Sequence, residues 1–138
     1  MLNPDLARDY IRRADVRLRA LDVLHDAGSW ADVVRESQEI VELALKALLR
    51  ARGIDPPRMH DVSDVLLAER HRLPAELEPE LAGLVDASRQ LRRDRELAFY
   101  GAEDLTPSGF YSEEDAGRAR ASARRVVEVV KPHVAEGG

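Results

Sequence analysis

The feature that most constrains the fold is the apolar pattern between Trp30 and about Arg52. Apolar residues recur there at spacings of three and four, which is the period of an α-helix, and they cover a wide face. A helix with so wide an apolar face contacts several neighbours, so this segment is predicted to be the central helix. Ser29 is its predicted N-cap and Gly53 its predicted C-terminal cap. The apolar face comprises Trp30, Val33, Val34, Ser37, Ile40, Val41, Ala44, Leu45, Ala47 and Leu48.

Three other long segments and one short segment show the same helical period. No alternation of β type persists, and no internal repeat is present. The sequence therefore predicts an all-α fold, an up-and-down four-helix bundle with one additional short helix. The predicted helices run from Pro4 or Asp5 to about Asp26, from Asp61 to about Arg70, from about Glu80 to Tyr100, and from about Glu113 to Val130. Their predicted stops include Gly28, Gly101 and Pro132, and a loop is predicted from Ala102 to Tyr111.

Some local features are also predicted. Ser112 with Asp115 forms a capping pair at the start of the last helix. In the short helix, the inward residues are predicted to be Val62, Val65, Leu66 and Leu67. Gln38 is predicted to be half buried, and Glu42 and Lys46 are predicted to form a solvated pair one turn apart.

Length, charge and residue usage exclude several classes of function. With 138 residues the chain is predicted to be one domain, 1–138, with a frayed tail over 135–138. A net charge of −5 gives no global basic field for nucleic acid. The absence of Cys excludes disulfides and thiolate zinc sites, and the four His show no metal-ligand spacing, so no metal or cofactor is predicted. No uninterrupted apolar run approaches the ~20 residues of a membrane helix, and the N-terminus shows no signal-peptide pattern. We therefore expect a cytoplasmic protein without a membrane segment.

The stretch from Leu91 to Gly101 differs from the other helical segments in its cluster of arginines. Three of its first five residues are arginines. The apolar stripe that leads into it, Leu77, Leu81, Leu84, Ser88 and Leu91, continues at helical spacing to Arg95. A charged residue at such a position either packs its stem and extends its head to water, or holds an anion such as phosphate.

Several segments in this order resemble the HEPN family, the small helical domains named for higher eukaryotes and prokaryotes nucleotide-binding. The resemblance covers nearly the whole chain. It lies in Tyr10 and Ala14; in the stretch 36–49 with Gln38, Glu42 and Lys46; in Gly53, Pro57 and His60; in 95–101; and in the loop to Tyr111.

The resemblance implies a bundle of four or five helices that usually dimerises. Many members are metal-independent ribonucleases, often toxins paired with a small nucleotidyltransferase antitoxin. Their signature is an Arg, commonly followed by a polar residue, with a His after four to six further residues. The Arg would hold the scissile phosphate, and the His would handle the proton of the ribose 2′-hydroxyl or of the leaving oxygen.

This chain departs from that signature at the His. No His lies between His71 and His133, and the corresponding position is Tyr100, with four residues between it and Arg95 and six between it and Arg93. Tyr has a pKa near 10, which makes it a poor general base at neutral pH. Tyr100 is therefore read in three ways, as a catalytic substitute, as a modification target of a partner nucleotidyltransferase, or as a helix-end aromatic.

The resemblance predicts the HEPN component of a toxin–antitoxin pair with a nucleotidyltransferase. Arg93, Asp94 and Arg95 are the candidate phosphate or nucleotide site, and Arg95 and Tyr100 are the candidate catalytic pair. If the protein is an enzyme, it is expected to be a metal-independent endoribonuclease with a non-standard motif. The alternative is a non-catalytic homodimeric scaffold module.

Overall fold

The structure, a computed structural model, describes residues 4–58, 61–100 and 107–135, and within these ranges the side chains of 94–100, 107, 108 and 135 fall outside the description. All regular structure in these ranges is helical. The α-helices are α1 (Pro4–Asp26), α2 (Trp30–Ala51), α3 (Val62–Ala68), α4 (Leu81–Tyr100), α5 (Pro107–Phe110) and α6 (Glu113–Ala135). Two 3₁₀ segments, Arg70–Arg72 and Ala75–Glu80, connect α3 to α4.

Helix α2 lies at the centre of the bundle, as its wide apolar face predicts. It contacts α1, α4 and α6. All but the first of the residues assigned to that face are buried, and Trp30 is partly buried. Burial of apolar surface at about 25 cal/mol per Å² is the main force holding the bundle together, so the neighbours of α2 are fixed by the residues that α2 presents.

Ion pairs between α1 and α6 show that these two helices run in opposite directions. On α6, Lys131 pairs with Asp15 of α1, and Arg124, nearer the start of α6, pairs with Asp22, further along α1. Between α1 and α2, Arg17 bonds both Glu36 and Glu39 at 2.7 and 2.5 Å. The antiparallel pairing of α1 and α6 agrees with the predicted up-and-down arrangement.

The predicted helix caps are largely confirmed. Gly28 and Gly53 have φ of 72° and 74°, in the left-handed region that costs glycine little. The backbone N–H of Ser112 donates to the carboxylate of Asp115, and the N–H of Asp115 donates back to the Ser112 hydroxyl. Ser29 precedes α2 but makes no capping bond to the backbone, and its hydroxyl donates to the Asp32 carboxylate at 2.6 Å.

Some predicted features are wrong. Helix α6 continues through Pro132 to Ala135, because a proline this near the end removes only the bond to one carbonyl while Val134, 1% exposed, anchors the final turn. The predicted loop to Tyr111 contains a helical turn, α5. Leu67 is 37% exposed, since α3 is only seven residues long and buries one narrow face.

The buried part of α2 contains polar atoms without partners among the described residues. Gln38, predicted to be half buried, is 2% exposed, and neither its Oε1 nor the Ser37 hydroxyl has a hydrogen-bond partner among the described residues. Each such group costs about 1–3 kcal/mol. Glu42 and Lys46, predicted as a pair, are half buried and share no ion pair in the described structure.

Candidate functional site

The arginines of α4 divide into two groups according to which neighbour they face. Arg89 and Arg92 reach α3. Arg89 donates to the Ser63 hydroxyl at 3.1 Å and to the Asp64 carboxylate at 2.9 Å, and Arg92 lies 3.4 Å from the Asp61 carboxylate. These two positive charges are compensated within the fold, so they are poor candidates for free anion binding.

Asp61 connects the start of α3 to this arginine face. As N-cap of α3, its carboxylate accepts from the Ser63 N–H at 2.9 Å and from the Ser63 hydroxyl at 2.8 Å. Burial alone would raise the pKa of Asp61, but the two bonds from Ser63 and the charges of Arg92 and Arg89 outweigh it, so the pKa lies below its usual value. Asp61 therefore stays ionised and fixes α3 against α4.

Arg93 differs from Arg89 and Arg92. Its side chain is exposed, and it donates to the Oε1 of Gln90 at 2.7 Å. Across the described ranges no carboxylate pairs with it, so its full charge faces solvent. A guanidinium that a neighbouring amide holds and that lacks a carboxylate partner suits the oxygens of a phosphate.

The open groove between α4 and α6 contains this guanidinium, and we call it the Arg93 groove. Its walls carry Asp86, Arg89, Gln90 and Arg93 from α4 and Ser122 from α6, around a volume of about 680 Å³. That volume falls in the range of ligand sites, roughly 300–1,000 Å³. Ser122 lines the groove beside the charge of Arg93, and Gln90 holds the Arg93 guanidinium through its side-chain oxygen.

Of the site residues predicted from the sequence, Arg93 is the one whose side chain the structure describes. For the others it describes the backbone alone. Ser88 and Leu91 are 3% and 2% exposed, which confirms the apolar stripe of α4 up to one helical turn before Arg95. Asp94, Arg95 and Tyr100 belong to the same helix, and their side chains lie outside the description. His60, expected to bond locally and anchor its loop, also lies outside the described residues, as does the predicted tail beyond Ala135.

Sequence reasoning missed the residues that divide the arginines between two surfaces. Asp61 and Asp64 are visible as acids near a helix start, but nothing local indicates that they neutralise Arg92 and Arg89, about 25 or more positions away in the chain. Ser122 lies in an alanine-rich stretch of α6, and its place in the groove depends on how α4 and α6 pack. These contacts follow from tertiary structure and leave no signal in spacing.

Two further findings bear on function. In the described ranges, no group of three or more His, Asp or Glu side chains is arranged to hold a metal ion. None of the described helices has the length and apolar character needed to cross a membrane.

Together the helical bundle and the polar groove beside Arg93 define an all-α domain with a potential anion site at its surface. A sequence profile of the HEPN domain matches residues 7–133. The chain is also 31% identical to a protein of Methanocaldococcus jannaschii named "Putative toxin MJ1304", over 97% of this chain and 91% of that protein. No solved structure shows a significant match. The chain belongs to the HEPN domain family.

Proposed function

We propose that this HEPN domain is a toxin-like module that binds the phosphates of RNA, or of a nucleotide, at the Arg93 end of α4. The observation that carries this is the exposed Arg93 guanidinium, which has no carboxylate partner in the described structure while Arg89 and Arg92 do. The name of the M. jannaschii relative supports the toxin-like role. In this proposal Asp94 and Arg95, the next residues of the helix, complete the site.

The proposed partner is a small nucleotidyltransferase acting as antitoxin, as the family resemblance implies. Tyr100 keeps its three roles in this proposal, as a catalytic substitute, as a residue modified by that partner, or as a helix-end aromatic. Incubating the protein with a nucleotidyltransferase from a neighbouring reading frame and nucleoside triphosphate separates the second role from the others. A mass increase by one nucleotide that Tyr100→Phe abolishes supports it, and an unchanged mass contradicts it.

The test of RNA binding and cleavage uses a single-stranded RNA in the presence of EDTA, which removes metal ions. It compares the wild type with Arg95→Ala, Arg93→Gln and Tyr100→Phe. Loss of cleavage in Arg95→Ala and Tyr100→Phe supports a metal-independent endoribonuclease. Binding without cleavage, weakened by Arg93→Gln, supports a phosphate-binding module without catalysis. Neither binding nor cleavage by the wild type contradicts the proposed function.

A non-catalytic homodimeric scaffold is the second candidate, and the outer face of α1 favours it. Val16 and Val23, two helical turns apart, are 50% and 69% exposed there. Exposed apolar side chains at this spacing suit contact with another protein surface. Light scattering tests the idea, because a scaffold gives twice the 15.4 kDa chain mass and Val23→Glu returns it to one chain, whereas a single-chain mass for the wild type contradicts it.

A further inference from the structure

The Arg93 groove adjoins a second cavity, which lies between α4, α5 and α6. This cavity has a volume of about 430 Å³, and its walls include Leu91 of α4, Phe110 of α5 and Arg118 of α6. Gln90 and Ser122 line both cavities, so the two adjoin each other. A chain-like ligand bound at Arg93 therefore has Phe110 in the neighbouring cavity.

Phe110 presents an aromatic ring to this second cavity. It is 39% exposed, and the other large apolar side chains exposed in the described structure are aliphatic. The adjacent Tyr111 is 6% exposed, and the two rings meet edge to face with centroids 5.0 Å apart and planes at 71°. Tyr111 is thus buried in the core and packs against the Phe110 ring, while part of Phe110 remains exposed to solvent.

The charges of the second cavity are already compensated. Arg118 bonds Glu114 at 2.9 Å and Asp115 at 2.6 Å. This cavity therefore offers an aromatic surface next to a site of positive charge, rather than a second cation site. An aromatic platform beside a phosphate-binding residue is the usual arrangement for single-stranded nucleic acid, because every base has a face that stacks.

We propose that Phe110 stacks on a base of single-stranded RNA whose neighbouring phosphate is bound by Arg93. This inference rests on the proposed function and adds a base-binding subsite to it. The strand must be single, since the bases of an RNA duplex are stacked on one another and their faces are closed to Phe110. Stacking on a Phe is tolerant of sequence, so the subsite favours unpaired regions over particular bases.

The test measures binding of a fluorescein-labelled oligouridylate by anisotropy at low salt. Phe110→Ala is expected to weaken binding on the order of 5- to 100-fold, which corresponds to loss of one stacked base. Phe110→Tyr keeps the ring and is expected to bind within about twofold of wild type. Leu67→Ala is the matched control, because Leu67 is exposed to nearly the same degree, 37%, and lies on α3.

An abasic oligonucleotide of the same length separates stacking from a general effect on the fold. On this backbone the wild type and Phe110→Ala are expected to bind equally, while Arg93→Gln still weakens binding. Phe110→Leu, which fills the same space without an aromatic ring, should bind oligouridylate as poorly as Phe110→Ala while unfolding at the wild-type temperature.

The outcomes distinguish the subsite from the proposed function. If Phe110→Ala binds oligouridylate like Leu67→Ala while Arg93→Gln is impaired, stacking is refuted and phosphate binding stands. An equal loss on the abasic and base-bearing oligonucleotides also refutes stacking. Absence of binding by the wild type overturns both.

Discussion

The contact between α3 and the arginine face of α4 gives a quantitative prediction at Asp61. Asp61→Ala removes the bonds from the Ser63 N–H and hydroxyl and the pairing with Arg92. Loss of an N-cap costs about 0.5–2 kcal/mol. The Arg92 pair adds little, because Arg92 is 39% exposed and solvent screens the charge. The expected loss in the free energy of unfolding is therefore about 1–2 kcal/mol.

Thermal and urea unfolding measure this loss. For a domain of this length, 1 kcal/mol corresponds to roughly 3 °C in Tm, so Asp61→Ala should lower Tm by about 3–6 °C. The matched control is Asp64→Ala, because Asp64 also pairs with an arginine of α4 but is 65% exposed. It should cost under about 0.5 kcal/mol. Equal effects of the two substitutions would refute the assignment of Asp61 as the anchoring residue.

The contribution of Asp61 also has a predicted pH dependence. Its pKa in the folded protein lies below the usual 3.8, so folding favours the ionised form. The stability that this ionisation provides is fully present above pH 3.8 and is lost as pH falls through the folded pKa. The difference in stability between wild type and Asp61→Asn should therefore shrink in acid. If the difference in stability between the two proteins stays constant down to the pH of acid unfolding, Asp61 is not ionised and bonded as described.

Three further predictions concern the bundle, and each is checked by urea unfolding. Gln38→Met removes the buried oxygen that lacks a partner and keeps the side-chain volume. The free energy of unfolding should therefore stay the same or rise by up to about 1–3 kcal/mol. A loss above about 1 kcal/mol would show that the amide has a partner in solution. Arg17→Met leaves the carboxylates of Glu36 and Glu39 without their shared partner. It should lower the free energy of unfolding by about 1 kcal/mol at low salt and by less at high salt. A loss that does not depend on salt would indicate that Arg17 acts through packing instead. Gly83→Ala places a methyl group in open space on α4 and should stabilise the protein by about 0.5–1 kcal/mol. Gly53→Ala should destabilise the protein, because the φ of Gly53 is 74°. Stabilisation by both substitutions would contradict the left-handed turn at Gly53.

The sequence predicts those parts of the fold that follow from local chemistry. The helical periods gave α1, α2 and α4, and the left-handed turns at Gly28 and Gly53 follow from the lack of a Cβ in glycine. Local rules failed at Pro132, where burial of Val134 outweighs the missing backbone donor and lets the helix continue.

The candidate site was less accessible to sequence reasoning. The pattern indicated an arginine cluster on α4, and Arg93 was among the residues chosen. Which arginines are neutralised depends on α3 packing beside α4, and the exposure of Phe110 depends on how α5 meets the groove. Such contacts between distant segments are set by packing of the whole bundle, so local spacing does not predict them.

The salt dependence of RNA binding by wild type and Arg93→Gln tests phosphate binding at Arg93 most directly. Each phosphate contact on a single strand contributes about 0.7 to the slope of log K against log salt concentration. Arg93→Gln should therefore weaken binding to all single strands alike and reduce this slope by about that amount. Arg125→Gln is the matched control, because Arg125 also lies on the α4–α6 surface but is paired with Glu80 at 2.8 Å. An Arg93→Gln protein with the wild-type affinity and slope would contradict phosphate binding at Arg93.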